Sequence, residues 1–241
     1  TKNMFSKLEK KSISLITLIY FFRMLGAFMI FPILSVFADS YSLSTPFLIG
    51  VTLGIYGLTN AIMQIPFGIL SDRYGRKKII LLGLWVFLLG SVICAITDNI
   101  YFLILGRALQ GAGAISGALM ALLSDSTTDS NRTLSMAIVG VAIGIAFFSA
   151  FIIGPLISKY FNLSGVFVLI VLLTILSISL MSIYKIKSNN VNKQFRFSLK
   201  ELIFNKTLYP FFIDILILHT ILTSIFIAIP VMMTEKYLID I

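Results

Sequence analysis

The chain has 241 residues, 58% hydrophobic and 12% charged, with a mean hydropathy of +1.01. A soluble domain would be about half apolar and carry about twice the charge, so composition excludes an ordinary soluble protein. The net charge of +9 would suggest nucleic acid in a soluble protein, but here the placement of the basic residues decides otherwise.

Runs of about 20 apolar residues read as membrane-spanning helices. Seven occur, at roughly 13–37, 47–70, 79–97, 100–123, 133–157, 165–184 and 208–230. Runs this long exclude a β-barrel, whose strands are about 10 residues of alternating polarity. The expected fold class is an all-α membrane protein. Residues 1–12 form a polar basic N-terminus. The apolar stretch after Lys11 is too long for a cleavable signal and is followed by no small-residue cleavage site.

Span 1 contains Arg23 and Pro32, with Asp39 at its far end as a solvated surface charge. Arg23 either lines a polar interior or reaches back to the membrane surface. Span 2 carries Asn60 and Gln64 four residues apart, on one helical face. They would hydrogen-bond between helices or line a cavity. The connection to span 3, Gly68 to Lys78, reads GILSDRYGRKK, dense in charge for this chain. A cytoplasmic position explains Arg73, Arg76, Lys77 and Lys78 as charges, but not the spacing of Gly68, Asp72 and Gly75. Two glycines would permit a sharp turn with close helix approach. Asp72 would accept from a helix N-terminus or an arginine.

Cys94, in span 3, is the only cysteine, so it forms no intrachain disulfide. Span 4 crowds Gly106, Gly111, Gly113, Ala114 and Gly117, which suit close packing in lipid. It also holds Arg107 and Gln110, three apart and near one face. An ionised side chain near mid-bilayer costs at least ~2.5–3.5 kcal/mol on insertion scales. We read Arg107 and Gln110 as lining a polar interior; snorkelling to the outer interface is the alternative for Arg107. Asp125 and Arg132 flank the next short loop, and opposite charges would pair as Asp72–Arg132 and Arg76–Asp125. Such a cluster would latch helix ends in one state and release them in another. Span 5 contains Gly140, Gly144 and Gly154-Pro155, the last a site for a helix bend.

After span 6, residues 185–207 form a basic linker, either flexible or an amphipathic segment with a capping box at Ser198–Glu201. Span 7 carries Asp214 near its start and His219 nearer its middle, the latter titrating near neutral pH.

Fifteen of the nineteen basic residues fall on one side of this arrangement, against Lys159 and Lys236 opposite and Arg23 and Arg107 within spans. The excess places the N-terminus in the cytoplasm. One histidine and few acids exclude a histidine-based metal cluster within the chain, and no GxxxxGK[ST] loop is present. No cofactor, metal or nucleic-acid partner is expected.

Three segments together resemble the major facilitator superfamily. Gly68-x-Leu70-x-Asp72-Arg73-x-Gly75-Arg76-Lys77 looks like its loop 2–3 signature. The run Ile104–Gly113 resembles its span 4 motif, RxxQGxG. Gly154-Pro155 resembles the start of the span 5 antiporter motif, although Ile157 and Ser158 stand where glycines are usual. The stretches RMLGAFM, GIYGLTNAIMQIPFGILSDRYGRKK, ILGRALQGAGAI and MALLSD extend the likeness to YajR-type transporters of the drug:proton antiporter branch.

The resemblance implies two six-helix bundles around a cavity opened alternately to each side. Residues 13–184 would be the first bundle, and 208–241 would begin a truncated second one. It implies proton-coupled efflux of an unidentified small molecule across the cell inner membrane. It also implies that the counterpart of Asp72 meets a helix of the second bundle, so that a C-terminal half is a missing partner. Two other readings remain. The chain would be a non-transporting remnant, or a half needing a complementing chain. A seven-helix receptor matches the helix count, but it places its N-terminus outside, and span 7 has no lysine to hold retinal.

Overall fold

The computed structural model describes residues 5–37 and 40–184, and scattered residues between 209 and 232. Asp39, His219 and the linker 185–207 lie outside the described residues. Two compact units divide near residue 190. In the second, the described residues are helical and exposed, Asp214 among them. Thr220 and Ser224 there donate to the carbonyls of Leu216 and Thr220, one turn back.

The first unit is built from six helices: α1 (Lys7–Phe37), α2 (Pro46–Tyr74), α3 (Arg76–Ile96), α4 (Ile100–Ala112), α5 (Ser116–Asp125) and α6 (Asp129–Ile183). Their starts follow capping chemistry. The Ser6 hydroxyl accepts from Glu9 N–H at 3.2 Å, while the Glu9 carboxylate accepts from Ser6 N–H at 2.9 Å. These two bonds are the reciprocal pair of a capping box. Thr45 accepts from Leu48 N–H, with Pro46 opening α2, a position where proline's missing N–H costs nothing. The Asn99 side chain accepts from Tyr101 N–H to start α4.

One boundary differs from the apolar runs. Span 4 is not one helix. It breaks over residues 113–115 into α4 and α5, and Tyr20 Oη donates to the Ser116 carbonyl at the break. Spans 5 and 6 are the two helical arms of α6, joined across a kink, and its 55 residues are long enough for two crossings of about 20 residues each. Its interior departs from helical geometry at Asn162, with φ of 55° and ψ of −169°, a backbone region that residues with side chains rarely adopt. The departure lies seven residues after Pro155, where the sequence suggested a bend.

Contacts with α1 show that α6 doubles back. Glu9 meets Thr128, and Met29 lies beside Gly154, so the first arm runs with α1. Gly26 then lies beside Ile170, and Lys11 beneath Tyr184, so the second arm runs against it. One end of the bundle therefore gathers residues 6–11, 71–78, 124–132 and 182–184. The other gathers Ser42 and Asn99, which form an isolated parallel bridge.

The bundle is apolar outside as well as inside. Leu58, Phe102, Val141, Phe148 and Leu172 are exposed, as expected where lipid is the solvent. Several hydroxyls within the spans are satisfied one turn back, as when Thr174 donates to the Ile170 carbonyl, whereas Thr17 Oγ1 is buried without a partner. Glycine sets the closest approaches. A methyl on Gly90 would stand 2.5 Å from the Gly106 carbonyl oxygen, so α3 and α4 touch backbone to backbone. A methyl on Gly111 would overlap Thr59 Oγ1 and the Tyr56 carbonyl, so α2 and α4 touch likewise.

Candidate functional site

Two polar groupings stand out, one in the middle of the bundle and one at the end bearing Glu9.

The middle grouping is built on α1 to α4. Arg107 is 1% exposed and Gln110 fully buried. Their three-residue spacing puts both on one helical face. Arg107 Nη1 donates to Gln110 Oε1 at 2.7 Å, and Gln110 Nε2 donates to Ser91 Oγ on α3 at 2.8 Å. The Arg107 guanidinium lies over the Tyr56 ring, 4.5 Å from its centroid. Arg23 is 3% exposed and lies over Phe87 at 4.9 Å. Neither arginine snorkels. Arg23 stands sixteen residues into α1, roughly 24 Å along the axis, too deep for its side chain to regain the surface. Span 2 contributes less. Asn60 and Gln64 are half-buried, Gln64 lies against Gly117, and its Oε1 has no hydrogen-bond partner.

At the other grouping, Gly75 is the whole connection between α2 and α3. Its φ of 99° is open to glycine and strained for any other residue. This turn points Arg76 back along α2. Arg76 Nη1 donates to Ser71 Oγ at 2.8 Å and pairs with Asp72, while Nε donates to Asp125 Oδ2 at 3.2 Å on the last turn of α5. Arg76 therefore joins the α2–α3 turn to α5. Asp72 meets Arg76 rather than Arg132, and Arg132 instead pairs with Asp129 at 2.6 Å, three residues before it. Arg73 lies over Tyr74 and takes no part in the cluster. Gly68 has nothing within 4 Å of an added methyl, so its expected role in close helix approach is not met by any described neighbour.

Glu9 was not singled out from the sequence, yet it is the best-satisfied carboxylate of this end. It is 7% exposed. Besides Ser6, it accepts from Thr128 N–H at 2.9 Å, Thr128 Oγ1 at 3.0 Å and Asn131 Nδ2 at 3.3 Å. One carboxylate thus caps the starts of α1 and α6 together. The signal was present as Ser6-x-x-Glu9 before an apolar run. Glu9 precedes that run, and the backbone N–H groups of Thr128 and Ser6 hold its pKa down to about 2 from an ordinary 4.5. A depressed folded-state pKa gives stability that is complete above the unfolded value and is lost as pH falls through the folded one. The thermal stability of the solubilised protein should therefore fall as the pH drops from about 4.5 to 2. Glu9→Gln should cost about 1.5–3 kcal/mol at neutral pH and lose this component of the acid dependence. An unchanged acid profile in the variant would contradict the assignment.

Lys77 completes this end by donating to the carbonyls of Ser182 (3.0 Å) and Tyr184 (2.8 Å), neutralising the closing turn of α6 as a cation does at a helix C-terminus.

Comparison with known proteins adds a family match. The profile of the Major Facilitator Superfamily matches residues 16–239. The inner membrane transport protein YajR of Escherichia coli K12 is 43% identical over 218 residues, covering 88% of this chain and 48% of YajR. The class H tetracycline resistance protein of Pasteurella multocida is 34% identical over 152 residues, covering 61% of this chain and 36% of that protein. The solved structure of the POT family transporter PepTSo superposes with a TM-score of 0.62 at 20% identity, over 71% of this chain and 36% of that one. The chain spans about half the length of the curated relatives it matches.

Proposed function

The chain belongs to the major facilitator superfamily, and on that premise we propose that it works in secondary active transport, moving small molecules out of the cytoplasm across the inner membrane by alternating access in exchange for protons. The N-terminus is cytoplasmic in this reading, because the basic residues gather at the end that carries Glu9 and Arg76. The carrying observation is Arg76, which ties the α2–α3 turn to the end of α5 through partly exposed ion pairs. Such pairs are strong enough to bias a conformation and weak enough to release. Gly68, Asp72, Arg73, Gly75, Arg76, Asp125 and Arg132 are the latch candidates. Arg23, Asn60, Gln64, Arg107 and Gln110 are the cavity candidates, with Asp214 and His219 from span 7. Gly154-Pro155 is the bend candidate. The tetracycline resistance protein among the relatives supports efflux as the direction.

Everted membrane vesicles test the proposal. With ethidium, 7-ethoxycoumarin and carboxyfluorescein as probes, at least one should accumulate only in vesicles that contain the protein, and an uncoupler should discharge it. Equal accumulation of all three with and without the protein would overturn the reading.

The half-length match supports a second reading, in which the bundle transports only together with a complementing chain. Transport by proteoliposomes holding this chain alone would remove it.

A further inference from the structure

Two arginines are sealed into the middle of the bundle, and nothing described there neutralises them. Arginine stays charged throughout the range in which proteins fold, so the site carries two permanent positive charges. The ion pairs among the described residues involve Arg76 and Arg132 at the other grouping. The described carboxylates of the bundle are Glu9, Asp72, Asp98, Asp125 and Asp129, and all sit at helix ends.

The aromatic faces of Tyr56 and Phe87 offset part of the charge, more so where water is excluded. Removing one ion from water costs several kcal/mol even after relaxation, so stacking alone leaves a deficit. The donors tell the same story. Arg23 Nε, Nη1 and Nη2, and Arg107 Nε and Nη2, are buried without a hydrogen-bond partner. Tyr56 links the two sites, since its ring lies under Arg107 and its side chain is also within hydrogen-bonding and electrostatic reach of Arg23, a single weak contact for a whole guanidinium.

We infer that Arg23 and Arg107 form a subsite for an anionic group, so that the cargo is an organic anion bearing a carboxylate, sulfonate or phosphate. The inference rests on the transport reading and narrows it to a substrate class. Guanidinium forks match the paired oxygens of such groups, and these buried, under-satisfied nitrogens supply the donors. A cationic cargo would meet direct repulsion from both guanidiniums, only partly screened in the interior. A neutral cargo would accept hydrogen bonds but leave both charges standing. The flanking Tyr56 and Phe87 faces favour a cargo with an apolar or aromatic body beside the anion.

Binding is read first, as thermal stabilisation of the purified protein in nanodiscs. The probes are 1-naphthoate, 1-naphthalenesulfonate and 1-naphthyl phosphate, set against neutral 1-naphthamide and cationic 1-naphthylmethylammonium. At least one anion should raise the unfolding temperature while the neutral and cationic probes do not. Arg107→Gln and Arg23→Gln should each weaken that binding about tenfold or more, and Arg107→Lys should keep part of it. The charge series on the unmutated protein carries the test even if a glutamine variant fails to fold. Stabilisation by naphthamide or naphthylmethylammonium equal to that by the anions, or by no anion at all, overturns the inference. The vesicle assay separates the two readings. Movement of ethidium or ethoxycoumarin without carboxyfluorescein leaves transport standing and removes the anion. Anion-selective binding with no probe moved keeps the subsite and removes transport.

Discussion

Alanine at Gly111 or Gly90 should lower the thermal stability of the solubilised protein by about 1–3 kcal/mol, the usual cost of overpacking a close-packed interior. Alanine at Gly57 or Gly54 should change it by no more than ~1 kcal/mol, the scale of helix propensity. The four residues are alike in sequence context, since each is a glycine in an apolar helix. They differ in what faces them. A methyl on Gly111 meets Thr59 Oγ1 and the Tyr56 carbonyl, and one on Gly90 meets the Gly106 carbonyl oxygen and the Gln110 nitrogen. Those are mainly backbone atoms, which move only if a helix moves. Gly54 and Gly57 have nothing within 4 Å. The displaced helix is α4, which carries Arg107 and Gln110, so Gly111→Ala should also disturb the Arg107–Gln110–Ser91 chain. Thermal unfolding of the four variants side by side checks this. Equal stability for Gly111→Ala and Gly57→Ala would mean that α2 and α4 do not approach as closely as described.

Those glycines mark where sequence reading stops. The apolar runs anticipated the helices of the first unit apart from the break in span 4, because a long apolar stretch is what a bilayer-crossing helix needs. The Arg107–Gln110 pair was legible because a three-residue spacing fixes a shared helical face. Ser91 was not, since nothing in α3 says which of its faces meets α4. The interruption at 113–115 was not legible because Gly113, Ala114 and Ile115 continue the apolar run, with no proline to mark a break. The ion pairs divide the same way. Arg76 with Asp125 could be anticipated from opposite charges on two short loops. Asp72 with Arg132 could not win against partners four and three residues away, which need less chain ordering to meet. Glu9 was missed for another reason. Its capping box is a local signal, but its second use, on Thr128 and Asn131, joins residues 119 and 122 positions away.

Arg76→Gln should reduce transport strongly while leaving insertion and expression intact. Its guanidinium reaches Ser71 and Asp72 through Nη1 and Asp125 through Nε. Lysine offers a single compact charge in place of that fork, so Arg76→Lys should recover only part of the loss. Asp72 is largely exposed, and its pairing with Arg76 is worth ~1 kcal/mol or less. The Asp125 bond is more sheltered, and together the contacts amount to about 1–2 kcal/mol in the state that forms them. A bias of that size shifts the balance of two states by roughly 5- to 30-fold. Global stability hardly registers it, whereas a transport cycle that must populate both states does. Asp125→Asn should resemble Arg76→Gln. The double variant should be little worse than either single one, because both remove the same interaction. Vesicle uptake measured beside thermal unfolding separates a latch from a structural brace. A brace would lower both together, and undiminished transport in Arg76→Gln would remove the latch altogether.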